Sequence, residues 1–142
     1  MSKDEALLAA LGHTQQIYRA LAELSDLTTE LEQATGQNDP VTVNLFLKLR
    51  AEPLGRAWEH KRQLRRLCAA LPGEEGERLL QLLSDQAEDP GPQEAPLLQQ
   101  VRRNQQLLER ILQADKRASL RLGRERSSLD STELPKRLKV SR

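Results

Sequence analysis

Aromatic residues are scarce in this chain: one Trp, one Tyr and one Phe stand among 142 residues. That scarcity excludes a thick globular core, which needs bulky rings to fill it, and leaves a narrow seam of aliphatic side chains as the means of packing. A single cysteine, Cys68, excludes an internal disulfide. Its place beside Leu67 on the apolar side of a helical stretch reads as a reduced thiol in a cytosolic protein. The two histidines, His13 and His60, have no local cysteine or carboxylate pair at metal-ligand spacing, so neither a metal centre nor any other cofactor is expected. No apolar run is long enough to cross a membrane. The stretch from Ala6 to Leu11 is broken by Gly12 and His13 before it could form a secretory signal core. Neither sign of charge prevails, with 22 Lys and Arg against 21 Asp and Glu. The molecule as a whole is therefore neither a polyanion mimic nor a strongly basic nucleic-acid binder.

What the chain has is leucine at helical spacing. Leu97, Val101, Asn104, Leu108, Ile111, Asp115, Ala118 and Leu122 follow a four-three rhythm that draws one seam along a long helix. Leu7, Leu11, Thr14, Tyr18 and Leu21 repeat it near the start, and Ile17, Leu24, Leu27 and Leu31 widen the stripe. The expected fold is an all-α, elongated antiparallel helical bundle forming one domain over residues 1–126.

Local signals set the helix limits. Ser2 with Glu5 fits a capping box, Gly36 offers a left-handed stop, and Asp39-Pro40 reads as an N-cap followed by proline at the first helical position. Helices are expected over about 3–35, 40–71, 74–88 and 96–126. Pro53 should bend or split the second near Ala51 and Glu52. Val41, Val43, Leu45, Leu47 and Leu49 alternate with other residues in the period of a strand, but no other segment supplies a partner strand, so helix is the expectation. The prolines between Asp89 and Pro96 mark a linker. Residues 127–142 are expected to be a disordered tail. From Lys116 to Arg142 nine Lys or Arg face three Asp or Glu, a balance of +6, which leaves −5 on the rest of a chain of net charge +1.

Few residues invite a chemical role. Ser25 with Asp26 and Ser84 with Asp85 lack the histidine and the strand-turn-helix elbow that a nucleophile needs, and no enzyme is expected. Arg56, His60, Lys61, Arg62, Arg65 and Arg66 could track phosphates, but Trp58 is the sole nearby stacker and neighbouring glutamates moderate the charge. Asn104 and Asp115 interrupt the apolar seam. Two readings stay open for them: a register device inside the bundle, or a stretch of seam left open for another helix.

The order of features resembles the flagellar type III export chaperones of the FlgN and FliT kind. Leu21-Ala22-Glu23-Leu24 through Thr29-Glu30-Leu31-Glu32, with Gly36 to Pro40, is similar to that family's leucine-rich first helix, acidic ending and short turn. Leu45 to Arg50 and Arg62-Gln63-Leu64 resemble its second helix. Val101-Arg102-Arg103-Asn104-Gln105-Gln106-Leu107-Leu108 with Ile111-Leu112 resembles the asparagine and paired aliphatics of its last. Pro53 and the proline-rich linker depart from the family's long continuous second helix. The resemblance implies a cytoplasmic, non-enzymatic chaperone that binds an amphipathic terminal helix of a hook-associated or filament-cap subunit, with an export-apparatus component as a further partner. Leu97, Val101, Leu108, Ile111 and Leu122 would anchor the client, and Asn104 and Asp115 would set its register. The alternative is a scaffold in which the seam is satisfied by self-association, as in a homodimer.

Overall fold

The computed structural model describes residues 1–129, with side chains as far as residue 123. Five helices follow one another: α1 (Lys3–Gly36), α2 (Pro40–Leu49), α3 (Ala51–Ala70), α4 (Gly73–Leu83) and α5 (Ala95–Leu129). The protein is all-α, and among the described residues there is no strand. The expected tail beyond Leu129 lies outside the described residues, whereas Ser127, Ser128 and Leu129, expected within that tail, continue α5.

Each boundary has a local cause. Ser2 and Glu5 form the reciprocal capping box, the glutamate amide donating to Ser2 Oγ at 3.1 Å and the Ser2 amide to Glu5 Oε1 at 2.9 Å. Gly36 is not the left-handed residue after α1. Asn38 takes that role with φ 53°, a conformation its short polar side chain tolerates. Asp39 then accepts the Thr42 amide at 3.2 Å and starts α2. The expected helix over 40–71 is two helices that meet at Arg50, because Pro53 has no amide to bond the Leu49 carbonyl four residues back. Pro53 itself sits in the first turn of α3, where a missing amide costs nothing.

α4 is shorter than the expected 74–88. Asp85 turns to φ 57°, the Gln86 amide bonds back to the Gln81 carbonyl at 2.8 Å, and the helix closes at Leu83. The linker that follows is packed rather than loose. Glu94 is buried and takes both Arg78 Nη2, at 2.8 Å, and the Gly91 amide, at 3.0 Å. Arg78 above all, together with that amide, holds the Glu94 carboxyl down to about 2 against the ordinary 4.5. A carboxyl depressed in the folded state stabilises it fully above 4.5 and loses that stabilisation as the pH falls from there towards 2. Glu94→Gln is expected to cost on the order of 3 kcal/mol at neutral pH and to flatten the acid limb of the stability curve in that window, as urea unfolding against pH will measure.

α1 is the spine. Both α3 and α5 lie along it, while α3 and α5 make almost no direct backbone approach to each other. Consecutive long limbs run antiparallel, so α5 runs parallel to α1: Asn104 meets Thr14 and Arg117 meets Glu32. Small residues on α1, among them Ala6, Ala10, Ala20 and Ala34, are buried and let the helices come close. The buried hydroxyls of Thr14 and Thr28 donate to carbonyls one turn back, at 2.7 Å each, so the spine buries polar side chains without orphaning them. Three apolar clusters lie along its length. Leu7, Leu64, Leu79, Leu82, Leu97 and Val101 join α1, α3, α4 and α5 at one end. Leu21, Leu24, Leu107 and Ile111 join α1 to α5 in the middle, and Leu31, Val43 and Ala118 join α1, α2 and α5 at the other end.

Candidate functional site

The expected binding seam on α5 is turned into the protein's own core. Leu97 is 1% exposed, Val101 5% and Ile111 3%, all against α1 and its neighbours. Leu122 is half-buried beside the cluster of Leu31, Val43 and Ala118. Asn104 donates from Nδ2 to the Thr14 carbonyl at 2.9 Å and accepts from Gln100 Nε2 at 2.9 Å. Asp115 accepts from Arg50 Nη1 at 2.9 Å. Both polar residues tie α5 to its own bundle. Leu108 alone among the seven seam residues is exposed.

The apolar surface that remains uncovered lies mainly elsewhere. In α2, Val41 is 79% exposed, Leu45 52% and Leu49 46%. Their four-residue spacing stacks them on one face, and Val43 is the helix's only buried residue. Leu47, Leu54 and Trp58 are also exposed, so the apolar surface runs on into the first turns of α3. Six apolar residues in the ten of α2 are more than one buried face can use. The alternating run that suggested a strand was the sequence signal of this surplus.

α5 also carries exposed apolar residues. The Arg50–Asp115 pair and the shared cluster of Leu64 with Val101 set the antiparallel register of α3 on α5. Leu108 and Leu112 are exposed on α5. Lys61 lies 5.5 Å from the Trp58 ring centroid, a cation–π contact that holds the indole at the surface. Arg50 Nε, at the α2–α3 junction, is buried without a hydrogen-bond partner among the described residues.

The basic cluster is committed in part to neighbouring carboxylates. Arg56 bonds Glu23 and Glu52, and Arg62 bonds Glu59. Those pairings neutralise two of the five cations there and weaken a phosphate-tracking role. His13 and His60, unrelated in sequence, meet across α1 and α3 with their Nδ1 atoms 2.9 Å apart. Among the described residues no group of three or more His, Cys, Asp or Glu side chains is placed to hold a metal ion, and no helix is long and apolar enough to cross a membrane. No family model, curated protein or solved structure matches this chain.

Proposed function

We propose that this protein is a cytoplasmic, non-enzymatic helix-capturing chaperone of the flagellar export type. Its client is an amphipathic terminal helix of a hook-associated or filament-cap subunit, held until export. The single observation that supports this reading is the uncovered face of Val41, Leu45 and Leu49 on α2, continued by Leu54 and Trp58. Contiguous exposed apolar side chains on a folded domain are the usual mark of a docking surface. Residues at i, i+4 and i+8 suit an incoming helix that lays its own apolar stripe alongside. The order of sequence features resembles that of the export chaperones, and with the α5 seam buried this reading rests its anchors on α2.

Leu45→Lys tests it. The side chain stands in solvent, so the variant is expected to melt within a few degrees of the unaltered protein, a change of about 0.5 kcal/mol or less. Co-purification of a hook-associated or cap subunit is expected to fall at least tenfold. Full capture by the folded variant would overturn the placement on α2, and failure of the unaltered protein to retain any such subunit would overturn the chaperone reading. The rival class, a self-associating scaffold, would show as a dimer that survives dilution in sedimentation and is dissociated by the same substitution.

A further inference from the structure

His13 on α1 and His60 on α3 face each other where the two helices run antiparallel. Their Nδ1 atoms are 2.9 Å apart and their ring centroids 5.2 Å apart, with the planes inclined by 48°. At that separation one Nδ1 carries a proton and donates it, and the other offers a lone pair. The contact therefore exists in two charge states. Both rings are neutral in opposite tautomers, or one is an imidazolium donating to a neutral partner. When both are imidazolium, two N–H groups point at each other, the hydrogen bond is gone and two positive charges repel.

Among the described residues, the surroundings supply no anion for that third state. On α1 the residues a turn to either side, Ala9, Ala10, Gln16 and Ile17, are uncharged, and Glu23 further along is bonded to Arg56. On α3, Arg56 is held by Glu23 and Glu52, Glu59 takes Arg62 and Gln63, and Lys61 lies over Trp58. On α5, Asn104 is spent on Thr14 and Gln100, and Arg103 lies over Tyr18. Two imidazoles alone make a poor metal site, and no His, Cys, Asp or Glu among the described residues completes one. What the pair can exchange with solvent is a proton.

We propose that the His13–His60 pair is a proton-operated latch between α1 and α3, closed while the two rings hold no more than one extra proton and open when both are cationic. Leu54 and Trp58 ride on α3, so the latch also sets how firmly that part of the exposed apolar surface is held. Burial, reinforced by the charge of His60, lowers the His13 pKa below the ordinary 6.5. A base whose pKa is lowered by folding takes its proton more readily when unfolded. Its stabilisation is full above 6.5 and is lost as the pH falls from there through the folded value.

The test is urea unfolding of the full chain at about pH 7.5 and about pH 5.5, a window above the range in which carboxylates titrate. The comparison is with a double variant, His13→Asn and His60→Asn, whose amides keep a hydrogen bond and cannot take a proton. The unaltered protein is expected to lose about tenfold in its folded-to-unfolded ratio, the effect of one proton refused by the folded state across a pH unit. The double variant is expected to change by less than about twofold. Parallel loss in both proteins overturns the latch. Should the double variant fail to fold at the higher pH, ring-proton NMR titration of the unaltered protein carries the test. Entry of the second proton well below the ordinary histidine value supports the latch, and two independent uptakes near that value overturn it.

Discussion

Ile111→Asp is expected to unfold the protein before it affects any partner. Ile111 packs between Leu21, Leu24 and Leu107 in the middle cluster, where α1 and α5 hold each other without help from another helix. Removing the isoleucine forfeits about 2–5 kcal/mol of burial and packing. The carboxylate that replaces it must either lose its hydration beside those three leucines or part the helices, at a further cost of several kcal/mol. Against a total stability of about 5–15 kcal/mol for a typical domain, that sum removes most or all of the folded population. Circular dichroism against temperature is the measurement. A variant that keeps the unaltered melting transition would show that this face of α5 is not in the core. The contrast with Leu45→Lys separates two roles that look alike in sequence, since each alters one apolar residue of an amphipathic helix.

Gly76→Ala is the second large effect, and its sign opposes helix propensity. Alanine is favoured over glycine by about 1 kcal/mol inside a helix, and Gly76 lies within α4. Yet a Cβ at this buried position would meet the Cys68 carbonyl oxygen well inside van der Waals contact and crowd the Leu71 carbonyl oxygen at 3.2 Å. Both are backbone atoms near the end of α3, so neither can swing aside as a side chain would. The α3–α4 corner must open, which loosens Leu71, Leu79 and Leu82 in the cluster below it. A net loss of about 2–3 kcal/mol is expected in urea unfolding. Gly12→Ala is the control. Nothing stands within 4 Å of its Cβ, so there the helix term acts alone and a gain of about 0.5–1 kcal/mol is expected. Equal effects at the two glycines would refute the close approach of α4 to α3.

Much of the fold was readable because its causes are local. The Ser2–Glu5 box and the Asp39 cap engage amides within three residues. Pro53 breaks the helix through the amide it lacks, which placed the split within a residue or two of Arg50. Where a boundary depended on which of several residues would turn left-handed, local reading erred: Asn38 rather than Gly36 made the first turn, and Asp85 closed α4 early. Asp85 is also held by Arg102 of α5, 17 residues on, an interaction that no window of a few residues contains.

The candidate site was less legible, for a physical reason. A sequence displays an apolar stripe but not what covers it. The seam of Leu97, Val101 and Ile111 and the stripe of Val41, Leu45 and Leu49 both carry helical spacing, and the seam is the longer and more regular. Length and regularity are what a helix needs to lie along the spine of its own bundle, so the better stripe was buried. The sequence by itself determined that the chain is helical, where most helices begin, and that leucine seams hold them together, because capping, proline and periodicity act within a few residues. Only the tertiary structure decided that α5 spends its seam on α1, that α2 keeps its stripe in solvent, and that His13 meets His60, because each depends on which helices lie side by side.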